Sequence, residues 1–473
     1  MSASAKEIKV NVTGLDGIFK NKEKVIIPEY QRPYEWGKTK TAELLNDLKE
    51  FFITKRSDSP YYLGTVLFYY DAERNAYEII DGQQRITTLL IMKRVMEKEL
   101  PEAMNIDFRS HLSFRAIKET TDYARKEKAL LTELTLRNFL SKLEFTQVIT
   151  FAQDDSFQFF DTQNNRGVTL EATDFLKAYH LREITSEQLQ DSCAVLWEKA
   201  GTKWKDGDFL NNLFYRYLYR ARAWRSKNIV PENKELILSV FQAQTEEPEE
   251  KNAYPLYSNI YNRQAVKRRY ADAGDFKDIP NMESTADPQF FPFNLRQPIY
   301  KGIQFFHYTQ KYTSLHALLF ESNIPRRHEL RELNKFYNDV YNADMSVYLR
   351  DLFRLAVMIY FDVFEHQEII KFAYHLDYLL GSIRIGQKLV KKESAQLILK
   401  KPEHNLLDMI AYAYSPKEVF DFIKSIPEKD TIYKNSKKLK DDNVQGKYRK
   451  RVYTYFEKNK SDFTNRKQWL NEK

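Results

Sequence analysis

A single cysteine, Cys193, stands in 473 residues, so neither an internal disulfide nor a cysteine metal cage can form. Its neighbours Leu196 and Trp197 mark it as a packed core thiol. Histidine is scarce as well. None of the eight stands in a His-x-x-Pro setting or at metal-ligand spacing from another, and His404-Asn405 reads as an ordinary helix start before Leu406 and Leu407. No run of 18 apolar residues exists, and Met1 to Glu7 lacks a hydrophobic signal core, which leads to the expectation of a cytoplasmic protein without a membrane partner. With 42% apolar and 14% aromatic residues, the chain can nevertheless build a sizeable core in two or three domains.

What is present begins with Tyr77 to Leu90, YEIIDGQQRITTLL. Ala76 to Ile80 has the pattern of a strand, while Ile86, Leu89, Leu90, Ile91 and Met92 are apolar almost all round a helix and imply burial between layers. Asp81 and Gly82 therefore occupy a strand-to-helix turn. The first N–H groups of a helix lack internal partners and lie at the positive end of its dipole, which favours an anion. Arg85 in the first turn opposes that dipole by about 0.3–1 kcal/mol, so it suits the position only with something negative opposite. Gly82 permits close backbone approach, Gln83 and Gln84 bring amide donors and acceptors, and Asp81 can cap the helix or hold magnesium. The same letters also fit a plain turn in which Asp81 caps, the glutamines are solvated and Arg85 pairs with a neighbouring carboxylate.

A second segment, Ile26 to Trp36 (IIPEYQRPYEW), follows a short strand, and its two prolines hold an extended path that presents Gln31 and Arg32 on a stiff loop. Thr39 is positioned to cap a helix carrying Leu44, Leu45, Leu48, Phe51 and Phe52 on one face. Tyr61 to Tyr69 then forms a strand, turned by Asp71 to Asn75 into the strand before Asp81.

The ordered set PEYQRPYEW (28–36), YLG (62–64), DGQQRITTL (81–89) and a third block at 159–178, FFDTQNNRGVTLEATDFLKA, resembles the N-terminal domain of GmrSD-type restriction endonucleases. The resemblance covers roughly residues 10 to 185. It implies a ParB/sulfiredoxin-like α/β domain that binds and hydrolyses a nucleoside triphosphate with Mg2+. Carried over, Asp81, Gln83, Gln84 and Arg85 are the catalytic set, with Asp81 also the metal ligand, and Tyr30, Gln31, Arg32, Trp36, Gly82, Thr87, Asn165 and Arg166 bind the nucleotide. Asp174 and Lys177 fit the family helix but equally an exposed i, i+3 pair. The His-led nuclease motif of the fused family members is missing here, so either the nuclease is a separately encoded partner or the chain uses its nucleotide site for something other than DNA cleavage.

Beyond residue 185 the pattern turns helical, with long apolar stretches at Tyr348 to Phe364 and Ile369 to Leu380 and poorly periodic inserts at 246–255 and 271–298. The predicted fold class is thus α+β: an α/β domain over 1–185, a large helical domain over 186–433 and a basic tail over 434–473. The tail holds 13 Lys or Arg against 5 Asp or Glu, a surplus of 8 that equals the formal net charge of the whole chain. Attraction to a polyanion is therefore expected there, at Lys447, Arg449, Lys450 and Arg451. Arg216 and Arg220, one helical turn apart among tyrosines and Trp224, are the second nucleic-acid candidate, against a helix that packs its aromatics and snorkels its arginines.

Function follows from the resemblance: a nucleotide-binding and hydrolysing component of a bacterial DNA restriction or anti-phage system, acting on DNA. The mechanism expected is that triphosphate orders the loops at Tyr30 to Trp36 and Asp81 to Arg85 and thereby licenses a DNA-bound state. Two alternatives stand beside it. One is a non-enzymatic, nucleotide-responsive DNA-binding regulator; the other is a metal-dependent nickase built on Asp81, Asp161 or Asp174.

Overall fold

The computed structural model describes residues 8–20, 23–28, 31–97, 99–106, 108, 111–152, 171–202, 209–253, 266–270, 276–280, 287–321, 327–342, 345–400, 403–426 and 429–471. Two compact units result. One comprises residues 1–182 with 186–195, the other 183–185 with 196–473. The class is α+β, as the sequence predicts.

In the N-terminal unit five strands form a mixed sheet in the order β1-β5-β3-β4-β2: β1 (Lys9–Thr13), β2 (Lys24–Ile26), β3 (Tyr61–Asp71), β4 (Ala76–Asp81) and β5 (Leu143–Thr150). The central hairpin β3–β4 is antiparallel, and β3 also runs parallel to β5 with a register break between Tyr62 and Thr65, at Gly64. Gly64 has φ +96°, a left-handed backbone that only glycine adopts without strain.

Helix α1 (Lys38–Lys49) continues into a π-turn, Glu50–Thr54, and helix α2 (Gln83–Glu97) follows β4 directly. Thr39 does not cap α1, whose N-cap is Gly37 with no side-chain cap bond. The apolar pattern of α2 is explained by burial of Ile86, Leu89, Leu90, Ile91 and Met92. Leu44, Leu45, Leu48 and Phe52 of α1 join Ile86, Leu89 and Met92 of α2 and Val66, Phe68 and Ile79 of the sheet in one core. Each such side chain contributes about 1.5–3 kcal/mol by leaving water. On the other face of the sheet Leu67, Ile80 and Val148 make a smaller cluster. Two-sided burial of β3 and β4 fixes the place where β4 ends and α2 begins, because a one-residue slip would send each set of side chains to the opposite face and break the packing of both clusters.

The second unit is largely helical. Its long members are α3 (Ile303–Phe320), α4 (Val347–Phe364) and α5 (Ile369–Gly386), of which α4 and α5 match the two apolar stretches of the sequence. The insert expected to be irregular instead contains part of an antiparallel ribbon, Val266–Tyr270 against Phe276–Pro280.

The basic tail is a correction. Residues beyond 434 form no separate appendage: helix α6 (Val444–Tyr455) buries Tyr448, Arg449, Val452 and Tyr455, and Phe456, Phe463, Arg466, Trp469 and Leu470 are buried after it. Arg466 is fully buried, ion-paired with Asp377 at 3.0 Å and stacked 4.2 Å from the Phe456 ring centroid. Counting charge over a segment cannot separate a solvated lysine from an arginine paired inside a core. Cys193 is buried as expected, and burial pushes its thiol up to about 12.

Candidate functional site

Gly82, with φ +95°, makes the turn from β4 into α2, and a Cβ there would lie 2.5 Å from Val66 Cγ1. The glycine thus lets the helix start pack flush on β3. Around this turn lies a cavity of about 450 Å³ lined by Ile80 to Arg85, by Gln31, Arg32 and Trp36, and by Lys40, Glu43, Leu44 and Asp47 of α1. Two sequence blocks some fifty residues apart therefore meet at one concavity. Its volume falls within the range of small-molecule sites, about 300–1,000 Å³.

Most polar groups of the motifs are holding the walls together. Gln84 Oε1 accepts the backbone N–H groups of Glu35 at 2.9 Å and Trp36 at 3.1 Å, and its Nε2 donates to the Pro33 carbonyl at 3.1 Å. Gln31 Nε2 donates to the Ile80 carbonyl at 2.8 Å. Tyr34 is buried, its hydroxyl within 2.8 Å of Thr88 Oγ1 and 3.1 Å of Thr120 Oγ1, and burial raises its pKa. The proline loop from 31 to 36 is consequently fixed by side chains of this chain itself. The expected ordering of that segment by ligand is not what this geometry supports.

Arg85 has a similar duty. Its Nη1 donates to the Leu63 carbonyl at 2.7 Å, and its Nη2 donates to the Thr65 carbonyl at 2.7 Å and to Asp81 Oδ2 at 3.2 Å. The break at Gly64 turns both carbonyls toward the guanidinium, and a Cβ on Gly64 would sit 2.6 Å from Nη1. For this side chain the plain-turn alternative holds: Arg85 pairs with its neighbouring carboxylate, and the bulge carbonyls supply the rest of the negative charge. It lines the cavity as a positioning residue.

Two groups are left over. Arg32 lines the cavity and makes no hydrogen bond or ion pair among the described residues, while Gln83, only 6% exposed, lines it with an amide that bonds no described residue. Arg32 also acts on Glu35. Although Glu35 is exposed as a residue, crowding of its carboxyl against the chain raises its pKa, a rise opposed by Arg32 and reinforced by Asp174.

Other predicted positions fall elsewhere. Thr87 is buried in α2, lines no part of this cavity, and its hydroxyl is among the buried atoms without a partner. Tyr30, Asp161, Asn165 and Arg166 lie outside the described residues. Asp174 Oδ2 accepts the Glu171 N–H at 3.0 Å at the start of the helix Ala172–Arg182, and Lys177 is buried, so the two are not an exposed pair. Among the described residues no group of three or more His, Cys, Asp or Glu could hold a metal ion. Asp81 can serve magnesium only as a single carboxylate beside phosphate oxygens and water, which is the usual manner of that ion.

The nucleic-acid candidates divide as well. Arg220 is buried, ion-paired with Glu232 at 2.6 Å and 4.9 Å from the Trp224 ring, while Arg216 pairs with the buried Asp351 at 3.4 Å. Arg449 is buried and bonds the Ser436 and Leu439 carbonyls. Arg451 donates to the Asp339 carbonyl at 3.3 Å, and Lys447 and Lys450 are exposed. The packing reading of the 215–225 helix therefore describes Arg220, and of the four C-terminal candidates Lys447 and Lys450 are the exposed ones.

Glu43 and Asp47 are not among the residues the sequence motifs single out; their signal is a pair of acids at i, i+4 on the border of the apolar stripe of α1.

Residues 15–181 match the family model described as GmrSD restriction endonuclease, N-terminal domain, so the first unit is a domain of that class and connects the chain with DNA restriction and defence. The chain as a whole belongs to a family of unknown function (DUF7834), whose model matches residues 189–441, more than half its length. No curated protein matches the chain significantly. Among the described residues no helix is long and apolar enough to cross a membrane.

Proposed function

We propose that the cavity at the β4–α2 turn binds a nucleoside triphosphate, and that the chain is the nucleotide-dependent component of a DNA restriction system whose nuclease is a separate polypeptide. One observation carries the reading: at the N-terminus of α2 an arginine that makes no hydrogen bond or ion pair among the described residues, Arg32, lines a cavity that the motif residues have built. A helix N-terminus and a guanidinium with free donors together attract a polyphosphate. In this reading Arg32 contacts the phosphates, Gln83 completes their hydrogen bonding, and Arg85, Gln84 and Gln31 hold the frame. Magnesium arriving with the triphosphate would meet Asp81 and would neutralise phosphate charge there. Charge neutralisation by Arg32 is also what in-line attack of water on the terminal phosphoryl group requires.

Binding without turnover is the second reading, and a specific observation favours it. Gln84, one of the two glutamines expected to position attacking water, has both ends of its amide engaged with the proline loop. Phosphate release from ATP, GTP, CTP and UTP, with magnesium and with or without DNA, separates the two when measured beside equilibrium binding of the same nucleotides. Turnover lost in Arg32→Ala supports hydrolysis at this site; saturable binding with no release supports the regulator. Failure of all four triphosphates to bind overturns both.

A further inference from the structure

The cavity is not uniform in charge. One wall is the start of α2 with Arg32 and Arg85, while the wall given by α1 presents Glu43 and Asp47, one helical turn apart. Glu43 is held by Lys40 at 2.6 Å, whereas the Asp47 carboxylate makes no hydrogen bond or ion pair among the described residues. Between them Leu44 and the half-buried Trp36 supply apolar surface.

Ionised carboxylates accept hydrogen bonds and cannot donate them. A phosphate set beside these two carboxylates would therefore meet repulsion, and Lys40, the cation on the same wall, is already engaged with Glu43. A ligand satisfying the whole cavity has an anionic end for Arg32 and the α2 N-terminus, and neutral donors for the α1 wall. Gln83, 6% exposed as a residue and with an amide that bonds no described residue, also lines this cavity and is a second sign that it is shaped for a polar occupant.

We infer that Glu43 and Asp47 read the ribose hydroxyls of the nucleotide, making α1 the element that selects a ribonucleotide over a deoxynucleotide. This rests on the triphosphate reading of the site. Vicinal hydroxyls offer two neighbouring donors, and an acidic side chain accepting from a ribose hydroxyl is a recurrent solution on other nucleotide-binding folds. Donors on the base are the other chemical source, and the two are distinguishable.

The test is calorimetric titration of the full chain with each ribonucleoside triphosphate, its 2′-deoxy and 2′,3′-dideoxy counterparts, and inorganic triphosphate, for wild type, Glu43→Gln and Asp47→Asn. Loss of a charge-assisted hydrogen bond predicts about a ten- to hundredfold weaker dideoxynucleotide in wild type. Both isosteric variants should shrink that ratio by weakening the ribonucleotide, while inorganic triphosphate binds them at least as tightly, since a like charge has been removed. Equal binding of ribo- and dideoxynucleotides, an unchanged ratio in both variants, or discrimination that follows the base alone would overturn the inference while leaving the phosphate site intact. Absence of inorganic triphosphate and nucleotide binding alike would overturn the underlying reading together with it.

Discussion

Arg85→Ala and Arg32→Ala separate scaffold from ligand contact at the same cavity. Arg85 is 23% exposed at its side chain and makes two hydrogen bonds of 2.7 Å to backbone carbonyls and one ion pair of 3.2 Å. Hydrogen bonds from a charged donor contribute about 1.5–3 kcal/mol each, and partial exposure lets water replace some of that. Truncation should then cost about 3 kcal/mol locally. Arg32 has no such bonds among the described residues, so its truncation should fall within about 0.5 kcal/mol. Because the chain has two units, a global melting curve mixes them, and amide hydrogen exchange resolved to peptides is the better assay. In Arg85→Ala, peptides from Tyr61–Asp71 and Gln83–Glu97 should exchange about a hundredfold faster; in Arg32→Ala they should match wild type while nucleotide protection disappears. Equal protection of these peptides in wild type and Arg85→Ala would refute the assignment of Arg85 to the scaffold.

Three further substitutions probe the same physics. Gly82→Ala forces a Cβ to 2.5 Å from Val66 Cγ1 at φ +95° and should destabilise the N-terminal unit by about 2 kcal/mol or more, seen as lost exchange protection in α2; a neutral outcome would show that the turn relaxes freely. Arg466→Ala should cost about 3–5 kcal/mol by leaving Asp377 buried and unpaired, whereas Lys450→Ala should be silent in urea unfolding, a contrast that a solvated tail would not produce. Burial holds His375 down to about 4, against about 6.5 in an unfolded chain. Between those values only the unfolded state takes up the proton, so stability should fall as pH drops from about 6.5 toward 4, by up to about 3 kcal/mol. His375→Leu should flatten that dependence, and urea midpoints at pH 7, 6 and 5 that fall equally in both proteins would contradict it.

The path of the chain around the site was legible because it is written in local chemistry. Two prolines, an Asp-Gly break and an all-round apolar helix each have one physical solution, and β4, Gly82 and α2 follow them. The division of labour among the polar residues was not legible. Whether Arg85 faces a phosphate or a pair of carbonyls depends on a register break at Gly64, and strand register is a tertiary property. Likewise Gln84 reads as a free amide until the proline loop folds onto it. The buried arginines of the C-terminal helices were hidden for a related reason: the acid that pairs with Arg466, Asp377, lies 89 residues away.

The mutual fit of Gly64 and Arg85 also has a consequence for descent. A side chain at 64 would occupy the space of the guanidinium, and without the guanidinium the bulge carbonyls would lose the donors that Arg85 gives them. Neither position can drift alone. In any lineage that carries this domain, the two should be kept together or lost together, and a graft of the Asp-Gly-Gln-Gln-Arg turn onto another sheet would have to bring the bulged strand with it.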